Sequence, residues 1–390
     1  MDFTLSGQQR DRCAGVLARA QAAFPTGSGH HRPTAYPAHP AHPAYTRAEW
    51  SRLAALGLLG ASVPTAEGGG GLGALDTALV FESAGRGCGD TGILFAAAAH
   101  LFACGMPILD FAPPDTRKRL LPRMCSGELI AGNAMTEPES GSDVARLAVT
   151  ARRVTDGFLL SGTKSFVSNG PVADVFVTYA TTDPQAGHLG VTAFVVERGA
   201  PGLAVGQPLD KMGLLSCPAA AVTFDDCFVP DEQVLGAPGQ GGAIFQHSMR
   251  WERSCLFAVY LGVQQRLLDR CVEHVRQRRQ SGRRLAEFQS VSNRVVDMKL
   301  RLESGRLLLY RACDALDRDD PDASLWVSLS KLAVSEAAVA SSLDAMQLFG
   351  GRGYLREEGI EAAVRDALPT TVFSGTSEIQ RQLIARSMGL

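Results

Sequence analysis

Hydrophobic residues recur at helical spacing from Gln8 to about Gly132. The pattern predicts amphipathic helices over 48–59 and 74–86, and a third helix over 91–107. The body of this third helix is almost wholly apolar, which indicates burial on all sides. We therefore predict a helical N-terminal domain over residues 1–132.

The pattern changes to short alternating runs between residues 133 and 238. The predicted strands, rich in β-branched and aromatic residues, are 149–154, 158–161, 175–181, 191–197 and 221–224. Asp-Gly, Asn-Gly and proline-rich turns separate them. These features predict an antiparallel β domain over 133–238.

Helical spacing returns after the glycine-rich loop at 236–242. The predicted helices are long and apolar on one face, and they cover 243–276, 287–316, 322–348 and 375–388. Such a set is typical of a four-helix bundle, here residues 239–390. The predicted fold is mainly α with a central β domain.

Composition excludes several classes of protein. The chain is 45% hydrophobic and 20% charged, as in a globular protein, and its 38 basic against 40 acidic residues give a net charge of −2. A nucleic-acid partner is therefore not expected. The one basic run is interpreted as cofactor contact and solvated surface; it consists of Arg276, Arg278, Arg279, Arg283 and Arg284.

Membrane insertion and secretion are not expected either. The nearly apolar runs 92–99 and 255–263 are shorter than the ~20 residues of a bilayer-spanning helix. The N-terminus has acidic and polar residues where a signal peptide is basic and then apolar. The nine cysteines are odd in number and form no C-x-x-C pair. We therefore expect reduced thiols and a cytoplasmic protein.

The segment 24–46 is rich in proline and histidine and is predicted as a loop. Its histidines 30, 31, 39 and 42 are possible metal ligands. A solvated linker is the favoured interpretation, because structural metal sites need a rigid frame. No metal site is predicted.

Two kinds of loop suggest a nucleotide cofactor. The glycine-rich loops 67–73, 236–242 and 349–354 fit neither the Rossmann fingerprint nor the P-loop, and the last is favoured as a helix stop. The turn at 134–145 (AMTEPESGSDVA) offers hydroxyls and backbone amides suited to a flavin ring or pyrophosphate. On spacing alone an ordinary turn is the favoured interpretation.

Ordered motifs along nearly the whole chain resemble those of the acyl-CoA dehydrogenase flavoproteins. The matching segments are 134–145, 160–177, 209–230, 277–291, 347–367 and 374–385. The resemblance implies helical, β and helical domains, with FAD bound between the β domain and the C-terminal bundle. It also implies a homotetramer in which a neighbouring subunit helps to hold the cofactor.

The resemblance assigns FAD contacts to three groups of residues. Those at the ring and pyrophosphate are Met135, Thr136, Gly141 and Ser142, with Phe166 and Ser168 on the far side of the ring. Those that reach the neighbour's FAD are Arg278, Gln280, Gln347, Gly350 and Gly351, and those near its adenosine end are Thr376 and Glu378. Two positions depart from the family: Ser281 replaces a usual Phe, and Phe166 a frequent Trp.

The catalytic base is a larger departure. Most of the family carry Glu directly before G-T-S, where this chain has Ser374, whose hydroxyl is no base at neutral pH without activation. A branch that resembles isovaleryl-CoA dehydrogenase carries its Glu immediately before an Arg in the first long helix of the C-terminal domain, and Glu252 matches it. An exposed helical Glu beside Arg253 is the alternative, since adjacent helical residues do not face each other. The resemblance favours Glu252 as the base.

The implied mechanism is α,β-dehydrogenation of an acyl thioester. Glu252 removes the α-proton, a hydride passes from the β-carbon to flavin, and the Ser374 backbone N–H helps to bind the thioester oxygen. Because that role belongs to the backbone, Ser374→Ala is expected to cost little. Arg253 and His100 are assigned to the substrate pocket, with a core histidine as an equally acceptable interpretation of His100.

Further segments resemble the branch that oxidises carrier-bound L-proline to pyrrole-2-carboxyl in natural-product assembly. They are 95–108, 210–219, 248–258, 298–313 and 370–377. This implies a peptidyl carrier protein as partner, docked on basic residues such as Arg117, Lys118, Arg119 and Arg123. A CoA-dependent acyl-CoA dehydrogenase and an inactive flavin-binding scaffold are the alternatives. The electron acceptor, O2 or an electron-transfer flavoprotein, stays open.

Overall fold

The N-terminal part is helical, as predicted. In the computed structural model, which describes residues 4–25, 45–144 and 146–390, its helices are α1 (Gly7–Ala23), α2 (Arg47–Ala55), α3 (Ala74–Gly87), α4 (Thr91–Ala98), α5 (Met106–Phe111) and α6 (Pro114–Cys125). α1 and α2 each begin at a capping box, in which the hydroxyl of Ser6 or Thr46 and a side chain three residues on satisfy backbone N–H groups reciprocally.

A π-helical segment (Ala99–Gly105) joins α4 to α5 without a break. The resulting helix, Thr91–Phe111, has 21 residues and is long and apolar enough to cross a membrane, so it exceeds the short apolar runs seen in the sequence. However, 94% of the most apolar 18-residue stretch of this helix is buried inside the protein. It is a core helix, which packs against both the sheet and other helices.

The central sheet is mixed rather than purely antiparallel. Its strands are β1 (Ala131–Ala134), β2 (Thr150–Val154), β3 (Gly157–Ser168), β4 (Val175–Thr181), β5 (Val191–Glu197), β6 (Leu203–Val205), β7 (Ala219–Pro230) and β8 (Val234–Leu235). The order is β6-β7-β3-β2-β4-β5-β8, and β4 pairs in parallel with β1 and, at one residue pair, with β2. β1 begins at 131, two residues before the predicted start of the β domain, because it joins the sheet beside β4.

Both faces of β4 are buried. Val175, Val177 and Tyr179 face the core shared with the helices, whereas Phe176 and Ala180 belong to a second core within the β domain. One face of the sheet therefore packs against the helices, and the other face packs against residues of the β domain itself.

The C-terminal part contains the predicted long helices. They are α7 (Gly241–Trp251), α8 (Ala258–Gln277), α9 (Gln289–Asp317), α10 (Ala323–Phe349), α11 (Ile360–Ala367) and α12 (Ser377–Ser387), and a short hairpin of β9 (Arg279–Gln280) and β10 (Arg283–Arg284) follows α8. The single helix predicted over 243–276 is two helices, with a π-helical segment (Glu252–Leu256) between them. Helix α10 packs against α8, α9, α11 and α12.

The first and last parts of the chain meet where α3 crosses α8. A Cβ on Gly85 would lie 2.2 Å from the Val259 carbonyl oxygen, and one on Gly262 2.1 Å from the Glu82 carbonyl oxygen. Only glycine permits so close an approach of two helix backbones. The crossing fixes the N-terminal helices against the bundle.

All nine cysteines are free thiols, and eight of them are buried. Residues 4–25, 45–144 and 146–390 contain no group of three or more His, Cys, Asp or Glu side chains placed to hold a metal ion. The four histidines at 30, 31, 39 and 42, and most of the loop predicted at 24–46, lie outside the described residues.

Candidate active site

Glu252 opens the π-helical segment between α7 and α8, and its side chain is buried, with 8% of the residue exposed. Burial raises the pKa of Glu252 above that of an ordinary glutamate, while the Ser374 hydroxyl and the positive charges of Arg253 and Lys331 act in the opposite direction. A carboxylate in this environment is a stronger base than one in water.

Glu252 and Arg253 both contact Ser374. The Ser374 hydroxyl donates a hydrogen bond to Oε1 of Glu252, and Nε of Arg253 donates to the Ser374 carbonyl oxygen at 2.9 Å. Neighbouring residues of a regular α-helix point in different directions, which argued against such a pair. Glu252 and Arg253 lie in the π-helical segment, and from there both side chains reach the Ser374 loop. Such segments are frequent at functional sites.

The backbone of Ser374 has φ = +56°, and the following Gly375 has φ = +87°. Two donors hold the Ser374 carbonyl oxygen, Arg253 and the side-chain amide of Gln380, the latter at 3.2 Å. Within the part of the chain that the structure describes, the Ser374 N–H makes no hydrogen bond. This free donor fits the backbone role predicted for Ser374.

Aromatic rings form a wall beside this loop. The Phe373 ring lies 4.8 Å from that of Phe95 on α4, 5.4 Å from that of Phe257 and 6.2 Å from that of Tyr260, between centroids. Phe95 belongs to the apolar helix predicted over 91–107. The site therefore has an apolar side next to the buried carboxylate.

Lys331 on α10 is a buried cation that the sequence did not single out. It is 0% exposed, donates to the Thr370 carbonyl oxygen at 2.9 Å, and lies over the Phe257 ring at 5.3 Å. Burial lowers the pKa of Lys331 to about 8. It anchors the turn that leads into Ser374.

His100 is a buried side chain of the π-helical segment after α4. It is 0% exposed, its Nδ1 accepts a hydrogen bond from the Ala131 N–H at 3.0 Å, and its ring packs edge-on against Trp50. Burial lowers the pKa of His100 to about 4, so the ring is neutral at pH 7. This burial favours the core interpretation of His100 over the assignment to the substrate pocket.

A buried ion pair holds the turn at 134–145, which is predicted to bind flavin. Nζ of Lys164 lies 2.7 Å from Glu137 Oε1 and 3.0 Å from the Met135 carbonyl oxygen. The Glu137 carboxylate also accepts from the N–H groups of Ala148 at 2.5 Å and Val149 at 3.0 Å. Burial lowers the pKa of Lys164 to about 8. Sequence reasoning missed this pair, although a lysine within an alternating strand was a usable signal.

A β-bulge turns Phe166 outward from β3. The register with β7 shifts between Lys164 and Val167; both of these side chains are 0% exposed, whereas Phe166 between them is 67% exposed at φ = +54°. Bulges commonly aim a side chain in this way. The Ser165 N–H donates to the Thr136 carbonyl oxygen at 2.7 Å, which holds the bulge against the flavin turn.

This region fits a flavin. The exposed Phe166 ring offers an apolar face for an aromatic ring system. Gly141 and Ser142 lie in an exposed turn, and a Cβ on Gly141 would meet nothing within 4 Å, so the backbone there is open to a ligand. Thr136 and Ser168 are half-buried beside it, and Met135 is buried.

The residues predicted to reach a neighbour's cofactor form a separate exposed group at one end of the bundle. It comprises Arg278, Gln280, Gln347, Gly350 and Gly351. The stacked rings of His274 and Phe349, 4.2 Å apart, join its two segments. No hydrogen bond among the described residues links this group to the flavin turn.

Ser281, which departs from the family, lies in the turn of the β9–β10 hairpin. Ser281 and Gly282 connect β9 to β10 with φ values of +51° and +79°. A two-residue hairpin turn of this kind requires positive φ at both positions, and nothing in the structure explains why Ser replaces Phe here.

Thr376 caps α12, accepting from the Ile379 N–H at 3.3 Å, and Glu378 lies exposed in the first turn. Backbone N–H and Thr376 hydrogen bonds lower the pKa of Glu378. These residues directly follow the Ser374 loop.

The predicted basic docking patch is largely neutralised. Three of its residues form ion pairs: Arg117 with Glu67 at 3.1 Å, Arg119 with Glu197 at 2.8 Å, and Arg123 with Glu128 at 2.7 Å. Paired surface charges present a weaker field than the sequence suggested.

Known proteins resemble this chain over its full length. Sequence models of the acyl-CoA dehydrogenase N-terminal, middle and C-terminal domains match residues 30–128, 132–227 and 239–389. The chain is 50% identical to an L-prolyl-[peptidyl-carrier protein] dehydrogenase of Pseudomonas fluorescens, over 100% of both chains. It is 46% identical to one of the same description from Serratia sp., over 87% of this chain and 88% of the other.

A solved structure described as PigA with FAD and proline is similar over 100% of both chains, with 41% identity and a TM-score of 0.93. Three matched domains, the identities and the shared fold lead to one conclusion. The chain belongs to the acyl-CoA dehydrogenase family.

Proposed function

We propose that the protein is an FAD-dependent dehydrogenase that oxidises an L-prolyl thioester borne on the phosphopantetheine arm of a peptidyl carrier protein. The observation that carries this proposal is the buried Glu252 bonded to the Ser374 loop, in a chain 50% identical over its full length to a relative named for that reaction. Two successive oxidations remove four hydrogens from the prolyl ring and leave pyrrole-2-carboxyl thioester, a precursor in natural-product biosynthesis.

The residues of the site divide the work of each oxidation. Glu252 removes the α-proton of the thioester, and the Ser374 N–H donates to the thioester oxygen as negative charge develops there. Arg253 fixes the Ser374 loop through its carbonyl oxygen. The rings of Phe95 and Phe373 keep water from the reacting carbons.

FAD, held by the turn around Met135, Thr136, Gly141 and Ser142 and by Phe166 and Ser168, supplies the oxidising power of the reaction. O2 or an electron-transfer flavoprotein then restores the oxidised cofactor. The exposed group around Arg278 and Gly350 serves the FAD of a neighbouring subunit in a cytoplasmic homotetramer. An apolar stripe on α9 supports assembly, since Val296, Leu300 and Leu307 are each at least half exposed.

The purified protein is expected to be yellow and to hold FAD without a covalent bond. Heating or acid should release a flavin that chromatography identifies as FAD, while the protein mass stays that of the bare chain. A colourless protein that acquires no flavin spectrum with excess FAD would contradict the proposal.

Incubation with L-prolyl-loaded carrier protein is expected to remove four hydrogens from the carrier-bound group, as intact-protein mass spectrometry measures. The same substrate should bleach the flavin under anaerobic conditions, since no acceptor then restores it. Turnover of branched or straight-chain acyl-CoA esters with prolyl-carrier untouched would favour the CoA-dependent alternative. Bound FAD that no thioester reduces would favour the scaffold alternative.

A further inference from the structure

Ser374 stands where most of the family carry the catalytic carboxylate, and its hydroxyl points at the relocated one. Its Oγ donates to Glu252 Oε1, although the two residues are 122 positions apart. This contact belongs to the side chain, whereas the N–H and carbonyl of Ser374 belong to the backbone.

We propose that the Ser374 hydroxyl is a positioning residue for the base: it holds Oε1 of Glu252 and leaves Oε2 to take the α-proton. This inference rests on the proposed function, because it presupposes that Glu252 is the base. It revises the expectation that Ser374→Ala costs little.

The geometry at the carboxylate supports a division between its two oxygens. Among the described residues, Oε1 accepts the Ser374 hydrogen bond and Oε2 accepts none. Arg253 directs its Nε to the Ser374 carbonyl oxygen instead of the carboxylate. The hydroxyl is therefore the one hydrogen-bond donor that fixes the carboxylate orientation within the described chain.

Donation to a carboxylate favours its ionised form, so the hydroxyl keeps more of Glu252 in the basic state. The other groups that interact electrostatically with Glu252 are Arg253 beside it, Lys331 on α10, Cys104 in the π-helical segment after α4, and Tyr179 on β4. Burial holds the pKa values of Cys104 and Tyr179 far above neutrality, so both are neutral. Burial lowers the pKa of Lys331 to about 8, which places its titration on the alkaline side.

Two variants, Ser374→Ala and Ser374→Gly, test the proposal. Both remove the hydroxyl and keep the N–H, but Gly also relieves the φ of +56°, so it should fold at least as well as wild type. The control is Thr371→Ala in the same turn, where the lost hydroxyl contacts only the Leu368 carbonyl oxygen at 3.0 Å among the described residues.

In both variants we expect kcat/KM for prolyl-carrier at pH 7 to fall about tenfold, because a hydrogen bond to a charged group contributes a free energy of about that size. The acidic limb of the pH profile should move to higher pH, and activity should recover toward wild type as pH rises. FAD content should stay that of wild type, and Thr371→Ala should match wild type throughout.

An acidic limb that stays in place in either Ser374 variant overturns the proposal, because both lack the same donor. The proposed function fails separately: in that case Glu252→Gln retains turnover, or the wild-type protein leaves prolyl-carrier unchanged. A role confined to folding would lower flavin content or stability without moving the pH limb, and it would also overturn the proposal.

Discussion

Glu252→Gln is expected to abolish reduction of the flavin by prolyl-carrier while FAD stays bound. Gln has the shape of Glu, and its side-chain oxygen can still accept the Ser374 hydroxyl. It cannot take up the α-proton, and loss of a general base costs about 10²–10⁴ in rate. Anaerobic stopped-flow absorbance of the flavin measures the reduction rate directly, apart from any later step.

The matched control is Glu273→Gln, which makes the same change at an exposed position on α8. This variant should reduce its flavin at the wild-type rate. Reduction by Glu252→Gln within a few-fold of wild type would remove Glu252 from the mechanism, whatever the substrate.

The pH dependence of the wild-type reaction should follow from the same carboxylate. Burial raises the pKa of Glu252, and the base works only when ionised. The rate of flavin reduction should therefore rise with pH through the pKa of Glu252, at a pH above the ordinary range of glutamate.

The helices and strands were largely predictable because each follows a local period. Strands β4 and β5 match the predicted 175–181 and 191–197, and α10 differs from 322–348 by one residue at each end. β1 was missed because its sequence, AGNA, has small residues and no alternation. The β3 bulge was missed because a single extra residue does not change the pattern around it.

The site was predictable only where a motif names its residues. The two π-helical segments are invisible to a helical period, since each inserts about one residue into an otherwise regular helix. The Glu252–Ser374 contact spans 122 positions, and the Glu137–Lys164 pair spans 27. Such pairs depend on how elements pack, which local spacing does not encode.

Lys164 shows how a residue without a chemical role can control the site. Its Nζ joins Glu137 Oε1 to the Met135 carbonyl oxygen, so one cation holds the turn that carries the expected flavin contacts. Side chains of both partners are at most 1% exposed, so water cannot replace either of them.

Arg153→Met is the matched control for the substitution Lys164→Met. Arg153 forms an ion pair with Asp231 on the same domain, but both side chains are about half exposed. An exposed pair is worth about 0–1 kcal/mol, so this variant should keep its flavin and nearly all of its stability.

Lys164→Met is expected to destabilise the protein by about 3–5 kcal/mol and to release FAD, because it leaves the Glu137 carboxylate buried without a cation. The double variant Lys164→Met, Glu137→Gln removes both charges and should recover part of that loss, since no unpaired charge then remains. Denaturant unfolding measures the stability, and flavin fluorescence during dilution measures release. If Lys164→Met keeps wild-type stability and FAD affinity, the ion pair does not support the flavin turn.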